Sequence, residues 1–208
     1  MSKPWEKLIR ELLEARYLAG ATPWEQSGFF GSEERWTALR RPILEGIDRS
    51  GSFLDIGCAN GYLLECLQAW GAEKGVTLEP FGLDILSSFV SLAKKRLPQA
   101  TFFVGNAMVW EPPRQFDYVR TELIYAPPER QEEYIAGLYY DFLAPEGTLL
   151  VCDYRRRDTP ADIPWADEIL RDWGFPVARH YSGFDPDGAE LTRVVWVPRK
   201  APTGVPAG

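Results

Sequence analysis

The chain has 208 residues, of which 45% are hydrophobic, 25% charged and 13% aromatic. That is enough apolar material for one well-buried domain, and the length is short for two. With 30 acidic against 23 basic side chains the net charge is -7, which argues against a surface that tracks nucleic-acid phosphates.

The elements follow in chain order. MSKPWEKLIREL opens a charged amphipathic pattern rather than a secretory signal, and helical spacing from Trp5 to Tyr17 predicts a helix over 4–20, stopped at Gly20. A loop of small residues, Ala21 to Ser32, carries Trp24, Phe29 and Phe30. Ser32, followed by Glu33 and Glu34, caps a second helix over 33–48 that Pro42 kinks or restarts. From residue 52 the period changes. SFLDIG reads as a buried strand, Tyr62 to Trp70 as a helix, PFGLDI as a strand, and Ser87 to Leu97 as a helix closed by Pro98. TFFVGN and FDYVRTE are the third and fourth strands, Glu129 to Leu143 is a helix, and GTLLVCDY is the fifth strand. Pro164 to Trp173 is a helix with proline in its first turn, and FPVARHY and ELTRVVWVP form a hairpin through DPDG. Such alternation predicts an α/β domain with a mostly parallel sheet covered on both faces. A single domain over 1–200 is expected, with a helical cap or lid over 1–48, the core over 49–200 and a flexible tail over 201–208.

Ligands in such sheets bind beyond the carboxyl ends of the strands, and the turn after the first strand, Asp55-Ile56-Gly57-Cys58-Ala59-Asn60-Gly61, is placed there. It lacks the middle glycine of a dinucleotide fingerprint and the Gly-Lys-Ser/Thr ending of a P-loop, so a nicotinamide oxidoreductase is disfavoured. The amides opening the next helix are expected to face an anion, and no arginine flanks the turn in sequence.

This D-x-G-x-x-x-G pattern resembles motif I of class I S-adenosylmethionine-dependent methyltransferases. Asp84 in FGLDIL, with Ile85, matches the family's ribose-binding acid, and Asn106-Ala107 in VGNAMVW its adenine-contacting position, where aspartate is commoner. FDYVRTEL matches the fourth strand and LAPEGTLLVCDY the fifth, so the resemblance spans about residues 50–197. It implies a Rossmann-like α/β/α sandwich with a seven-stranded sheet whose last strand is antiparallel. It also implies S-adenosylmethionine as cofactor, held by Asp55, Gly57, Cys58, Gly61, Asp84, Ile85, Asn106, Ala107 and Glu122. S-adenosylmethionine has a carboxylate and a nucleoside but no phosphate, in keeping with the missing glycine.

Acceptor chemistry is expected at the ends of the fourth and fifth strands. Glu122 and Tyr125 are the catalytic candidates. Trp24, Phe29, Phe30, Arg120, Tyr125 and Tyr154 are the substrate candidates, the three loop aromatics as part of a lid. Arg120 shares a sheet face with Glu122, and an arginine inside a central strand requires a partner. Pairing with Glu122 or Asp153 and a direct role on substrate are both open. The family's DNA amino-methylases carry Asn/Asp-Pro-Pro-aromatic where this chain has Glu122-Leu123-Ile124-Tyr125. Glu122 and Asp153 match two metal-ligand positions of the catechol-type members, but Tyr154 stands where a third oxygen ligand belongs, so no metal is expected. His180 reads as structural, and Cys58 has no histidine partner in sequence.

Three cysteines, Cys58, Cys66 and Cys152, without metal-type spacing suggest a reducing compartment, and no apolar run approaches membrane-spanning length. The expectation is a cytoplasmic enzyme, monomer or homodimer, methylating a small molecule, with no nucleic-acid or membrane partner. The alternatives are a cofactor-binding sensor or scaffold, or an enzyme acting on protein or RNA.

Overall fold

Short runs rich in aliphatic and aromatic residues form the strands, and four of the seven are followed by a helical period. In the computed structural model, which describes residues 14–199, the strands are β1 (Gly51–Ile56), β2 (Leu78–Asp84), β3 (Thr101–Val104), β4 (Phe116–Thr121), β5 (Leu143–Tyr154), β6 (Arg179–Phe184) and β7 (Glu190–Pro198). The helices are α1 (Glu33–Arg40), α2 (Tyr62–Glu73), α3 (Ser87–Arg96), α4 (Gln131–Gly137) and α5 (Ala166–Asp172). One seven-stranded sheet runs β3-β2-β1-β4-β5-β7-β6. β1 to β5 pair in parallel, and β7 lies antiparallel between β5 and β6. This is the expected Rossmann-like sheet.

Several boundaries differ from expectation. Most of the predicted 4–20 helix lies outside the described residues; within them Ala15–Leu18 makes one helical turn. Pro42 does restart the second helix, because α1 ends at Arg40 and a 3-10 segment follows over Arg41–Gly46. Pro164 stands two residues before α5 rather than in its first turn; Trp165 is the N-cap, its N–H held by Glu168 Oε2 at 2.7 Å. The 129–143 helix divides into α4 and a wider π turn over Leu138–Phe142. The sixth strand starts at Arg179, later than FPVARHY implied, since Phe175 and Val177 instead pack against the core beneath α4 and α5.

The two sheet faces carry different cores. On one, Phe53, Tyr118 and Leu150 meet Trp36, Ile43 and Leu44 from the N-terminal segment and Leu64 and Leu67 from α2. On the other, Leu54, Val119, Leu149 and Val195 meet Tyr134 and Ile135 of α4 and Leu170 of α5. Each such side chain stabilises the fold by about 1.5–3 kcal/mol on burial. The first face changes character toward the carboxyl ends of its strands. Two residues on from Phe53, Tyr118 and Leu150 stand Asp55, Arg120 and Cys152, and two further stand Glu122 and Tyr154. Apolar packing therefore gives way to a polar end, where a ligand can be held.

Candidate active site

At that end lies a cavity of about 360 Å³ bordered by Gly57, Ala59, Asp84, Ile85, Asn106, Ala107, Glu122, Tyr125 and Tyr154, with Tyr17, Ser27, Gly28 and Arg40 from the N-terminal segment. Its size is within the range of small-molecule sites. A chamber of about 50 Å³ adjoins it, bordered by Asp55, Cys58, Trp36 and Arg120 and sharing Ser27, Arg40, Gly57, Glu122 and Tyr125 with the larger space.

The turn after β1 is built so that its amides serve the turn itself. Gly57 and Cys58 donate to the Leu83 carbonyl at 2.8 and 3.2 Å, and Gly61 donates to that of Cys58 at 2.9 Å. Ala59 N–H goes to Asp84 Oδ2 at 2.9 Å and Tyr62 N–H to the Asn60 side chain at 3.2 Å. Of the amides opening α2, that of Tyr62 is thus taken by the buried Asn60 side chain rather than left facing the cavity. Gly57 has φ 73°, and a Cβ there would stand 2.5 Å from the Tyr125 ring. Only glycine satisfies both the dihedral and this close approach.

Asp84 braces the same turn. Its second oxygen accepts from Leu86 N–H at 2.9 Å. Burial raises its carboxyl from 3.8 to about 6, against the opposing pull of the Leu86 and Ala59 amides. Each carboxylate oxygen keeps a second lone pair, so the cavity-facing acid still accepts hydroxyl donors.

Arg120 centres a buried network. Its register partner across β1 and β4 is Asp55, and Nη1 reaches Asp55 Oδ1 at 3.3 Å and Tyr125 Oη at 3.2 Å. Nη2 binds Glu122 Oε1 and, at 3.3 Å, Tyr154 Oη. The Tyr125 hydroxyl donates to the same Glu122 oxygen at 2.7 Å. Burial pushes Asp55 up from 3.8 to about 6, with Arg120 pulling the other way. Asp153 is not a partner of Arg120: it accepts from Arg155 at 3.4 Å and from Ala166 N–H at 3.1 Å. Burial raises the Cys58 thiol well above its ordinary range, keeping it a neutral wall residue. His180 Nδ1 stands 3.3 Å from Asp167 Oδ2, away from both spaces.

The structure gathers most of the sequence candidates but not all. Gly57, Asp84, Ile85, Asn106, Ala107, Glu122, Tyr125 and Tyr154 border the large cavity, while Asp55, Cys58 and Arg120 border the chamber. Gly61 borders neither and packs toward Ala93 and Phe102. Nor do the loop aromatics reach it: Trp24 lies against Tyr62 and donates to the Gly31 carbonyl at 2.9 Å. Phe29 lies under Arg35 and Arg40, and Phe30 is exposed beneath Arg16. The loop contributes Ser27 and Gly28 instead, with Gly28 at φ 90° leaving room for Tyr17. Sequence reasoning missed Arg40. Its guanidinium lies 4.3 Å above the Tyr154 ring and 5.5 Å from that of Trp36. The signal was there: Trp36 and Arg40 are four apart, one above the other on α1.

A seven-stranded Rossmann-like sheet with an acid-lined crevice at its carboxyl edge defines a nucleoside-binding class of α/β protein. Residues 31–195 match the family described as methyltransferase domain. The chain belongs to that family, whose Rossmann-like class I members use S-adenosylmethionine. It is 29% identical over 161 residues to a trans-aconitate 2-methyltransferase of Variovorax paradoxus strain S110, covering 69% of this chain. The chain spans 58% of that relative's length. Among solved structures it resembles the N-methyltransferase NodS of Bradyrhizobium japonicum WM9 in complex with S-adenosylhomocysteine, with TM-score 0.64 and 18% identity over 92% of this chain and 98% of that one. It also resembles magnesium protoporphyrin IX methyltransferase of Synechocystis PCC 6803 with bound cofactor, with TM-score 0.63 and 18% identity over 94% and 97%. Among the described residues no helix is long and apolar enough to cross a membrane, and no group of three acidic, histidine or cysteine residues is placed to hold a metal.

Proposed function

We propose that this chain transfers a methyl group from S-adenosylmethionine to a small-molecule acceptor. The observation that carries the reading is one cavity wall in which Gly57, Asp84, Asn106 and Glu122 meet at the carboxyl ends of four neighbouring strand segments. The trans-aconitate relative supports a small acceptor.

The residues fit the cofactor. Asp84 takes the ribose hydroxyls, Asn106 and Ala107 border the adenine, and Leu83, Ile85, Leu86 and Phe89 cover its faces. The amino-acid end lies toward Gly57 and the chamber. Two buried donors there, Trp36 Nε1 and Arg120 Nε, have no protein partner, and unpaired buried N–H groups favour an acceptor oxygen or water. Arg40, which borders both spaces, takes the carboxylate in place of the turn amides. Asp55 acts from beneath, by holding Arg120.

Bound there, S-adenosylmethionine supplies a methyl carbon activated by a positive sulfur. The protein's part is alignment and exclusion of water. Arg120 and Tyr125 fix Glu122 Oε1 so that the carboxylate stands at the cavity wall, where it takes a proton from the acceptor. Tyr17, Ser27 and Gly28 close the opposite side, so we read the described part of the N-terminal segment as a lid. Calorimetric titration of the full chain with S-adenosylhomocysteine, then a metabolite screen for its release from S-adenosylmethionine, tests the reading. Absence of binding would remove it.

A further inference from the structure

The fate of Glu122 is the unusual feature of this site. One oxygen accepts from both Arg120 and Tyr125, so the side chain is fixed. No described residue donates to the other, Oε2, and Glu122 borders both the cavity and the chamber. A fixed carboxylate with an open oxygen is a receptor for a donor, and it repels a second carboxylate at hydrogen-bonding range.

The surroundings select the donor further. Tyr17, Tyr125 and Tyr154 border the same cavity, with Ile124 exposed at its edge. A fixed carboxylate with an open oxygen, set among phenols, favours positive charge as it develops on an amine. The one cation that borders the cavity among the described residues, Arg40, is stacked on Tyr154 and is assigned above to the cofactor's carboxylate.

We propose that the acceptor is a small amine, which presents an N–H to Glu122 Oε2, rather than a carboxylic acid. This rests on the methyl-transfer reading of the same cavity. In the step, the nitrogen lone pair forms the N–C bond while the C–S pair passes to sulfur, leaving a neutral thioether. The proton released from nitrogen goes to Glu122 Oε2. A carboxylate acceptor has no proton to give and would leave this arrangement without a use.

The test uses the full chain loaded with S-adenosylhomocysteine and titrated with skeleton-matched pairs: phenethylamine against 3-phenylpropionate, histamine against 3-(imidazol-4-yl)propionate, putrescine against adipate, and trans-aconitate alone. The expected result is binding of at least one amine, about tenfold or more tighter than its acid, with N-methyl product when S-adenosylmethionine replaces S-adenosylhomocysteine. Glu122→Gln should abolish the preference and the turnover while S-adenosylhomocysteine affinity stays within about threefold, and Glu122→Asp should restore part of the preference. Preference for the acids or for trans-aconitate overturns the proposal, and so does failure of every amine to bind. Loss of S-adenosylhomocysteine affinity in Glu122→Gln also overturns it, since the acid then serves the cofactor. If the unaltered chain binds no S-adenosylhomocysteine, the methyl-transfer reading falls first and this one with it.

Discussion

Replacing Asp84 by asparagine separates ligand binding from folding. In the fold the carboxylate accepts from Ala59 and Leu86 amides, and an asparagine keeps one acceptor oxygen but points an NH2 group at the other amide. An unsatisfied buried donor costs about 1–3 kcal/mol. Against that, the buried charge is removed. The rise of the carboxyl from 3.8 to about 6 corresponds to about 3 kcal/mol of penalty on the ionised form at neutral pH. The two nearly cancel, so the melting temperature of Asp84→Asn should stay within about 4 °C of the parent. No such compensation exists for a ribose, whose hydroxyls lose a charged acceptor. Two charge-assisted hydrogen bonds weakened together cost about 2–4 kcal/mol, or roughly 30- to 700-fold in Kd for S-adenosylhomocysteine. Calorimetry and thermal melting of both proteins decide it. An unchanged Kd would place the ribose elsewhere; a large fall in melting temperature would mean that the acid is chiefly a brace for the turn.

Three further outcomes follow from the same geometry. Arg40→Met should weaken S-adenosylhomocysteine by about tenfold or more but leave 5′-methylthioadenosine, which has no amino-acid end, nearly unaffected; equal losses for both ligands would contradict the assignment of Arg40 to a carboxylate. Asp55 and Asp84 both have folded-state values raised from 3.8 to about 6, so the stability they contribute is full below their ordinary value and lost as pH rises through about 6. The ligand-free melting temperature should fall between about pH 5 and 7, while S-adenosylhomocysteine affinity rises over the same window as Asp84 ionises; a ligand-free protein that gains stability across that interval would refute this. Arg120→Met should cost about 3–5 kcal/mol by leaving Asp55 and Glu122 buried without their partner, and adding Asp55→Asn should recover part of the loss in a denaturant melt. A single variant as stable as the parent would show that the network is not structural.

How much of this was legible in the chain depends on whether the determinant is local. Alternating periods and the Gly57 turn are local, and they disclosed the strands and the turn that borders the cavity. β7 was bounded to the residue, because ELTRVVWVP is a run rich in β-branched residues set between DPDG and the basic tail. Boundaries failed where tertiary packing overrides local pattern, as where Phe175 and Val177 leave the strand to join the core. The partners of the turn amides were not legible because they come from elsewhere: the Leu83 carbonyl and the Asp84 side chain are brought by β2. The loop aromatics were misplaced for a similar reason. Aromatic content shows that a loop is anchored, and only the fold shows that Trp24 anchors on Tyr62 while Gly28 and Tyr17 face the cavity.

One long-range feature was nevertheless encoded. In strand order β1 stands between β2 and β4, so the chain leaves β1 toward one edge of the sheet and later returns to its other side at β4. The loops after β1 and β4 diverge, and the gap between them is the crevice. Arg120 is buried in β4, and a guanidinium inside a sheet demands a carboxylate from a neighbouring strand or from its own face. Glu122 supplies the second and Asp55, directly opposite in register, the first. An acid two residues before the turn glycine and an arginine near the end of a later strand therefore specify that these two strands adjoin. That adjacency fixes where the crevice opens. The same pairing orients Glu122, so the residue that solves a folding problem in β4 also holds a carboxylate at the cavity wall.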